Sequence, residues 1–289
     1  MTTLTPRVHD VDGSRLVAYD LGATLATWEL DGEPVVWLSE RAVLDGSAPL
    51  RGGIPICFPW FAAGPDGQLS PSHGLVRTAT WRPAEPVAEE VWAWELASAD
   101  VAGSPGAEHL PGPFSLRYAV SLRPGAEGPA RELQVALDVT DPAGTGLRAE
   151  VALHTYLAVD DATATRVLGL DGVEYLDKVD GVRHPQRGPV TLTGETDRVY
   201  DSGAEAGIVV DDGVRQLHLR PRGATQTVVW NPGADRCAEV ADLADDAWRT
   251  FVCVETAATG HRSLVVPPGG TATVSCTFTV RPGASDVTP

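Results

Sequence analysis

Two side chains about a hundred residues apart in this sequence, His154 and Glu255, have the types needed to move protons at neutral pH. His154 lies in Val151-Ala152-Leu153-His154-Thr155-Tyr156-Leu157, which reads as a strand with the imidazole on one face between Ala152 and Tyr156. Histidine titrates near neutrality and is the commonest general acid or base. A lone strand histidine is also commonly a hydrogen-bonded structural residue. Glu255 ends the apolar run Trp248 to Thr256, which reads as a second strand. A carboxylate there sits either at a solvent edge or in a cleft with a partner. Composition alone does not bring the two together.

A third segment, Arg51 to Trp81, holds Arg51, Arg77, His73 and a single acid, Asp66, in a chain of net charge -17. Its charge is therefore inverted relative to the rest. Arginine forks match phosphate geometry and make charge-assisted bonds to it. Gly52 and Gly53 would let the backbone approach a partner closely. The competing reading is a long connecting loop whose arginines pair with acids elsewhere.

Strands must position these groups. Val91–Leu96, Phe114–Val120, Leu133–Val139, Leu217–Arg220, Thr227–Trp230 and Ala272–Val280 all alternate with period two and are rich in β-branched and aromatic residues. Most of the 30 glycines and 23 prolines fall between such runs. The stretches 103–106 and 124–129 read as hairpin loops. Helical patterning is confined to Asp235–Leu243, with Asp235 near the cap. The expected fold is all-β: a large antiparallel β-sandwich with few short helices, as one domain over 1–289. Its ordered core would run from about 7 to 282, with a disordered tail after Arg281.

The acidity argues against nucleic acid or an anionic membrane as partner, since phosphate backbones select basic footprints. Lys178 is the only lysine. The four cysteines, Cys57, Cys237, Cys253 and Cys276, match neither zinc spacing nor a disulfide framework, and three sit among apolar neighbours as buried thiols. The N-terminal residues lack the layout of a signal peptide, and no run reaches the roughly 20 apolar residues of a membrane helix. The expectation is a cytoplasmic monomer.

Taken together, RGGIPICFPWF (51–61), Gln68, SHGLVRTATW (72–81), LHTYL (153–157), VLGLDGVEYLDKVDG (167–181), ETDRVY (195–200), VVWNP (228–232) and FVCVETA (251–257) resemble the aldose 1-epimerase superfamily. The resemblance is to its glucose-6-phosphate 1-epimerase, or hexose-6-phosphate mutarotase, branch. It covers nearly the whole chain, with the motifs in the family's order. It implies a galactose-mutarotase-like supersandwich with its site in a groove on one concave sheet, and neither metal nor organic cofactor. It assigns His154 and Glu255 to catalysis, His73 to positioning the substrate, and Arg51 and Arg77 to the phosphate. Gln68 and Asp197 fall at substrate-lining positions. Thr256-Ala257 departs from the family's usual Pro-Gly or Pro-Ala, which bears on the loop behind Glu255. Trp60 is placed either against the sugar or in the core.

The implied chemistry is ring opening and reclosure of a hexose 6-phosphate. Glu255 would take the C1 hydroxyl proton while a protonated His154 gives one to the ring oxygen. A further carboxylate would then be needed to keep His154 charged. Three rivals stand beside it: an epimerase of free hexoses, a non-catalytic sugar-binding or sensing module on the same scaffold, and a metal site built from His73, His154 and Glu255.

Overall fold

The computed structural model describes residues 3–124, 131–204 and 206–283. The tip of the 124–129 loop and the tail from 284 onward lie outside the described residues. Two large sheets of twelve and nine strands carry the fold, and every pairing between their strands is antiparallel. The sandwich expected from the alternation is the observed architecture.

One strand of the nine-stranded sheet follows the period-two rule along its length. In Arg131–Thr140 the side chains of Leu133, Val135, Leu137 and Val139 are buried, and the residues between them are not. Its neighbours, Ser115–Pro124 and Thr271–Pro282, place Tyr118 and Val274 directly opposite Leu137. Alternate Cβ atoms leave a strand on opposite faces, so these rows line one apolar surface. That surface meets the other sheet in one core, which includes Trp28, Leu157, Val252 and Val254 from the twelve-stranded sheet and Tyr118, Leu137 and Phe278 from the nine-stranded one.

The twelve-stranded sheet is buried on both faces at its centre. All eight residues of Phe251–Ala258 are buried. Val252 and Val254 face the inter-sheet core, whereas Cys253 and Ala257 join separate small clusters on the other face. A strand covered on both sides reads as a continuous apolar run rather than an alternating one. Glu255 consequently lies inside this strand, not at its end, and the strand continues to Ala258. Trp248 and Arg249 belong instead to a short 3-10 turn, Ala247–Arg249.

Other expectations are corrected in detail. The single α-helix among the described residues is Gly233–Glu239, two residues earlier at its start and four earlier at its end than the 235–243 pattern. Asn231 sets that start by accepting the Gly233 amide hydrogen on Oδ1. Gly52 and Gly53 approach this chain's own backbone rather than a partner. A Cβ on Gly53 would lie 2.4 Å from the Leu25 carbonyl oxygen, and one on Gly52 would lie 2.6 Å from that of Trp37. Trp60 is a core residue, 2 % exposed, with its indole donating to the Pro71 carbonyl. All four cysteines are free and buried. No helix among the described residues is long and apolar enough to cross a membrane.

Candidate active site

The strand expected over 151–157 is broken at the histidine. Val151–Leu153 and Tyr156–Ala158 are separate strands, and between them the Thr155 amide donates to the Leu153 carbonyl. The His154 amide turns to Pro55 instead. Pairing with Phe251–Ala258 nonetheless keeps one register across the break: Leu153 faces Thr256 and Tyr156 faces Cys253. His154 is thereby set opposite Glu255 on the face away from the inter-sheet core. Its Nε2 lies 3.4 Å from Glu255 Oε1, with the side chains only 10 % and 1 % exposed.

Aromatic rings fix the imidazole. Tyr156 stacks on it at 4.9 Å and 11°, while His73 and Trp230 meet it edge-on at 5.5 and 6.0 Å. His154 Nδ1 and Glu255 Oε2 are buried without a hydrogen-bond partner. Arg77 Nε shares that condition, so three of the five such atoms among the described residues belong to this one cluster. Buried polar atoms are nearly always satisfied, and a local concentration of unsatisfied ones marks a place built for something other than stability.

Burial pushes Glu255 well above the usual carboxylate range, and the nearby charge of Asp197 adds to this while Lys178 opposes it. Burial likewise pushes His154 well below the usual imidazole range, aided by His73, Arg77 and Arg51. Burial of the pair thus favours a neutral imidazole and a protonated carboxyl. The separate carboxylate expected to support His154 is not a third residue: the acid facing it is Glu255 itself.

Arg51 and Arg77 differ. Arg51 donates from Nε to Asp242 Oδ1 at 2.9 Å and from Nη1 to the Tyr156 hydroxyl at 3.1 Å. Burial works against its charge, but Tyr156 and Asp242 outweigh that and hold it above the ordinary arginine range. Arg51 thus does pair with an acid, as the connecting-loop reading has it. Arg77 does not. Its Nη2 donates to the Ser72 carbonyl at 2.9 Å, no carboxylate among the described residues pairs with it, and burial lowers its affinity for the proton. A guanidinium stays charged in proteins all the same.

His73 sits at a φ of +65° and receives the Ala62 amide hydrogen on Nδ1 at 3.2 Å. That bond leaves Nε2 as the protonated nitrogen of a neutral ring. Burial, with Arg77, Lys178 and Arg51, pushes this histidine down to about 3, so it is an uncharged donor at neutral pH. Asp197 lies across from Trp230 and accepts from Lys178 Nζ at 3.3 Å; burial raises its carboxyl above the ordinary range. In strand order Tyr156, Cys253, Trp230 and Asp197 form one row. The arginine flank at Tyr156 and the Asp197 flank are therefore three strand spacings apart, about 14 Å, with His154 and Glu255 beside the row. Gln68 is the expected residue that does not join: it is exposed in the 62–72 loop, without a side-chain hydrogen bond among the described residues. No three His, Cys, Asp or Glu side chains among the described residues are arranged to hold a metal ion, so the His73–His154–Glu255 metal reading gains no support.

Sequence reading missed Tyr156, Trp230, Lys178 and Asp242 as parts of this cluster. Tyr156 was within reach of period two, sharing a face with His154. Asp242 was hidden in the acid-rich 235–246 stretch, where nothing distinguishes one aspartate from another.

Residues 7–279 match the family model described as aldose 1-epimerase. The chain belongs to the aldose 1-epimerase family. Two relatives in it carry the name "Putative glucose-6-phosphate 1-epimerase". One, from Salmonella typhimurium, is 32% identical over 81% of this chain and 76% of its own length. The other, from Cenchrus ciliaris, is 29% identical over 87% of this chain and 77% of its own. A crystal structure of a "putative mutarotase" from Salmonella typhimurium superposes with a TM-score of 0.82 at 28% identity, covering 97% of this chain and 94% of that one. The supersandwich is thus the family's fold.

Proposed function

We propose that this chain interconverts the α and β anomers of D-hexose 6-phosphates, chiefly glucose 6-phosphate. The observation that carries this reading is Arg77: a half-buried arginine whose Nε is buried and unpaired, with no carboxylate paired to it among the described residues, close enough to His154 and His73 to act on their protonation. A dianionic phosphate supplies the missing counter-charge and acceptor oxygens. The relatives' names support the same substrate.

Mutarotation requires one proton to leave the C1 hydroxyl and one to reach the ring oxygen. Glu255 takes the first as carboxylate, and imidazolium His154 gives the second. The C1–O5 bond opens, the aldehyde rotates about C1–C2, and O5 adds to the other face as the transfers reverse. The pair needs one proton between its two members, and the closeness of Nε2 to Oε1 lets that proton reside at either. Burial by itself favours Glu255 as its holder. Burial is the main cause that depresses His154, and a phosphate on Arg51 and Arg77 cancels the part those two charges add, which moves the proton toward the imidazole, where acid catalysis needs it. Each positioned proton-transfer group contributes about 10²–10⁴ in rate. His73 donates from Nε2 to a sugar oxygen, and Asp197 accepts from a sugar hydroxyl at the far flank.

An epimerase of free hexoses would use the same pair without the arginines. Arg77→Ala separates the two readings. It should lower kcat/KM for glucose 6-phosphate by about 10–100-fold, the cost of one charge-assisted bond, and change that for glucose by less than about threefold. Equal losses on both sugars would remove the phosphate role. A binding module without catalysis gives no reason to keep an acid–base pair buried at 3.4 Å.

A further inference from the structure

Lys178 is the chain's only lysine, and the proton transfers described above do not use it. It follows the Glu174–Asp177 strand, where its amide donates to the Asp197 carbonyl at 2.7 Å. Its side chain doubles back on the same residue, with Nζ 3.3 Å from Asp197 Oδ2 and 5.3 Å from the centre of the Phe61 ring. Lys178 is therefore tied to Asp197 at both backbone and side chain, and reaches across to the loop that also carries His73. A lysine held by a carboxylate and an aromatic face together is fixed far more narrowly than a surface ion pair.

We propose that Lys178 is a positioning residue for the epimerase reaction: it fixes Asp197 as an acceptor for a sugar hydroxyl and screens Glu255 from the Asp197 charge. This rests on the anomer-interconverting reading of the site. The geometry sets the direction of the effect. Asp197, half-buried on the same groove face as Glu255, is held in one orientation by the ammonium beside it. Bound at Oδ2, it keeps Oδ1 for the substrate. An uncompensated negative charge near Glu255 would also make the base hold its proton, and Lys178 opposes that.

Other charged or titratable groups around this pair are accounted for. Asp177, on the neighbouring position, is held by Arg198 at 3.3 Å. His73, Arg51 and Arg77 act on the His154 side, where Tyr156 and Asp242 hold Arg51. Cys57 and Cys253, beside Glu255, are thiols that burial keeps protonated. Lys178 is thus the cation that faces Asp197.

The test is the pH profile of enzyme-catalysed anomer exchange of glucose 6-phosphate in wild type, Lys178→Met, Lys178→Arg and the double variant Lys178→Met/Asp197→Asn. His154 and Glu255 titrate as a coupled pair, so the readout is the pH optimum, the mean of the two limbs. Lys178→Met should move the optimum up by about 0.5–1 unit and lower kcat at pH 6.5 about tenfold, with KM changed less than threefold. Lys178→Arg should restore the optimum. In the double variant the optimum should return to that of wild type although activity stays low, because the charge that Lys178 offsets is gone. An unmoved optimum in Lys178→Met, or an equal shift in the double variant, would overturn the proposal whatever happens to kcat. Lys178→Gln, also uncharged and more polar, gives the same reading should the methionine variant fold poorly. Absence of any wild-type acceleration would overturn both this inference and the function on which it rests. A normal wild type with an unmoved optimum in Lys178→Met would overturn this inference alone.

Discussion

The two sheets of this molecule keep opposite relations to the rules of strand formation. In the nine-stranded sheet long strands run unbroken, buried and partly exposed residues alternate along Arg131–Thr140, and the apolar row Tyr118, Leu137, Val274 serves packing. In the twelve-stranded sheet the strand through His154 is interrupted, and Glu255 stands in the middle of a wholly buried strand. Local rules are kept where a segment need only be stable, and broken where it must hold reactive groups. Stability and reactivity are thus divided between two layers that share one core.

Substitutions on the two sides should therefore act in opposite directions. Leu137→Ala, at a fully buried position in the nine-stranded sheet, should cost about 2–5 kcal/mol of stability, read by denaturant unfolding. Its folded fraction should retain the wild-type kcat. A large fall in kcat per folded molecule would mean that the two layers are not independent.

Glu255→Gln should do the reverse. Removing a buried ionisable group with an unpaired oxygen should raise stability by about 1–3 kcal/mol while abolishing base catalysis. The gain should grow with pH. The folded-state affinity of Glu255 for its proton is raised, so between the unfolded carboxylate pKa and the higher folded one the native chain binds more protons, and wild-type stability falls as pH rises. The glutamine variant lacks that loss. Calorimetric Tm values for both proteins at pH 5, 7 and 8.5 check this. A difference that shrinks with pH contradicts the assigned direction.

The smallest effect is expected at Gln68. Exposed and outside the cluster, it should change kcat/KM for glucose 6-phosphate less than about twofold on replacement by alanine, because surface substitutions away from special features are close to neutral. A tenfold loss would place the 62–72 loop over the substrate and extend the reactive region beyond the sheet.

The same division explains what the sequence made legible. Five strands of the nine-stranded sheet could be read from alternation alone, and 133–139 and 272–280 fall inside the observed strands, whereas its short strands at 82–84, 166–168, 190–191 and 208–211 are too brief to show a period. The meeting of His154 with Glu255 could not, because it depends on a register preserved across a break, a relation between distant segments that leaves no local signature. Family resemblance supplied that pairing. Neither source foresaw that Arg51 would be held by Asp242 while Arg77 pairs with no acid among the described residues, since sequence carries no record of which arginine meets which carboxylate. Trp60 shows a similar limit: an aromatic in a motif beside the site is a core residue, while Trp230 and Tyr156 pack against the imidazole.

The central claim is that His154 and Glu255 together move the two protons of mutarotation on a phosphorylated hexose. NMR magnetisation transfer between the anomers of glucose 6-phosphate tests it most directly, with wild type, His154→Ala and Glu255→Gln each compared with buffer. Wild type should exchange the anomers well above the spontaneous rate, and both variants should fall about 10²–10⁴-fold, close to background. A wild-type rate equal to buffer, or a Glu255→Gln protein as fast as wild type, would contradict the account.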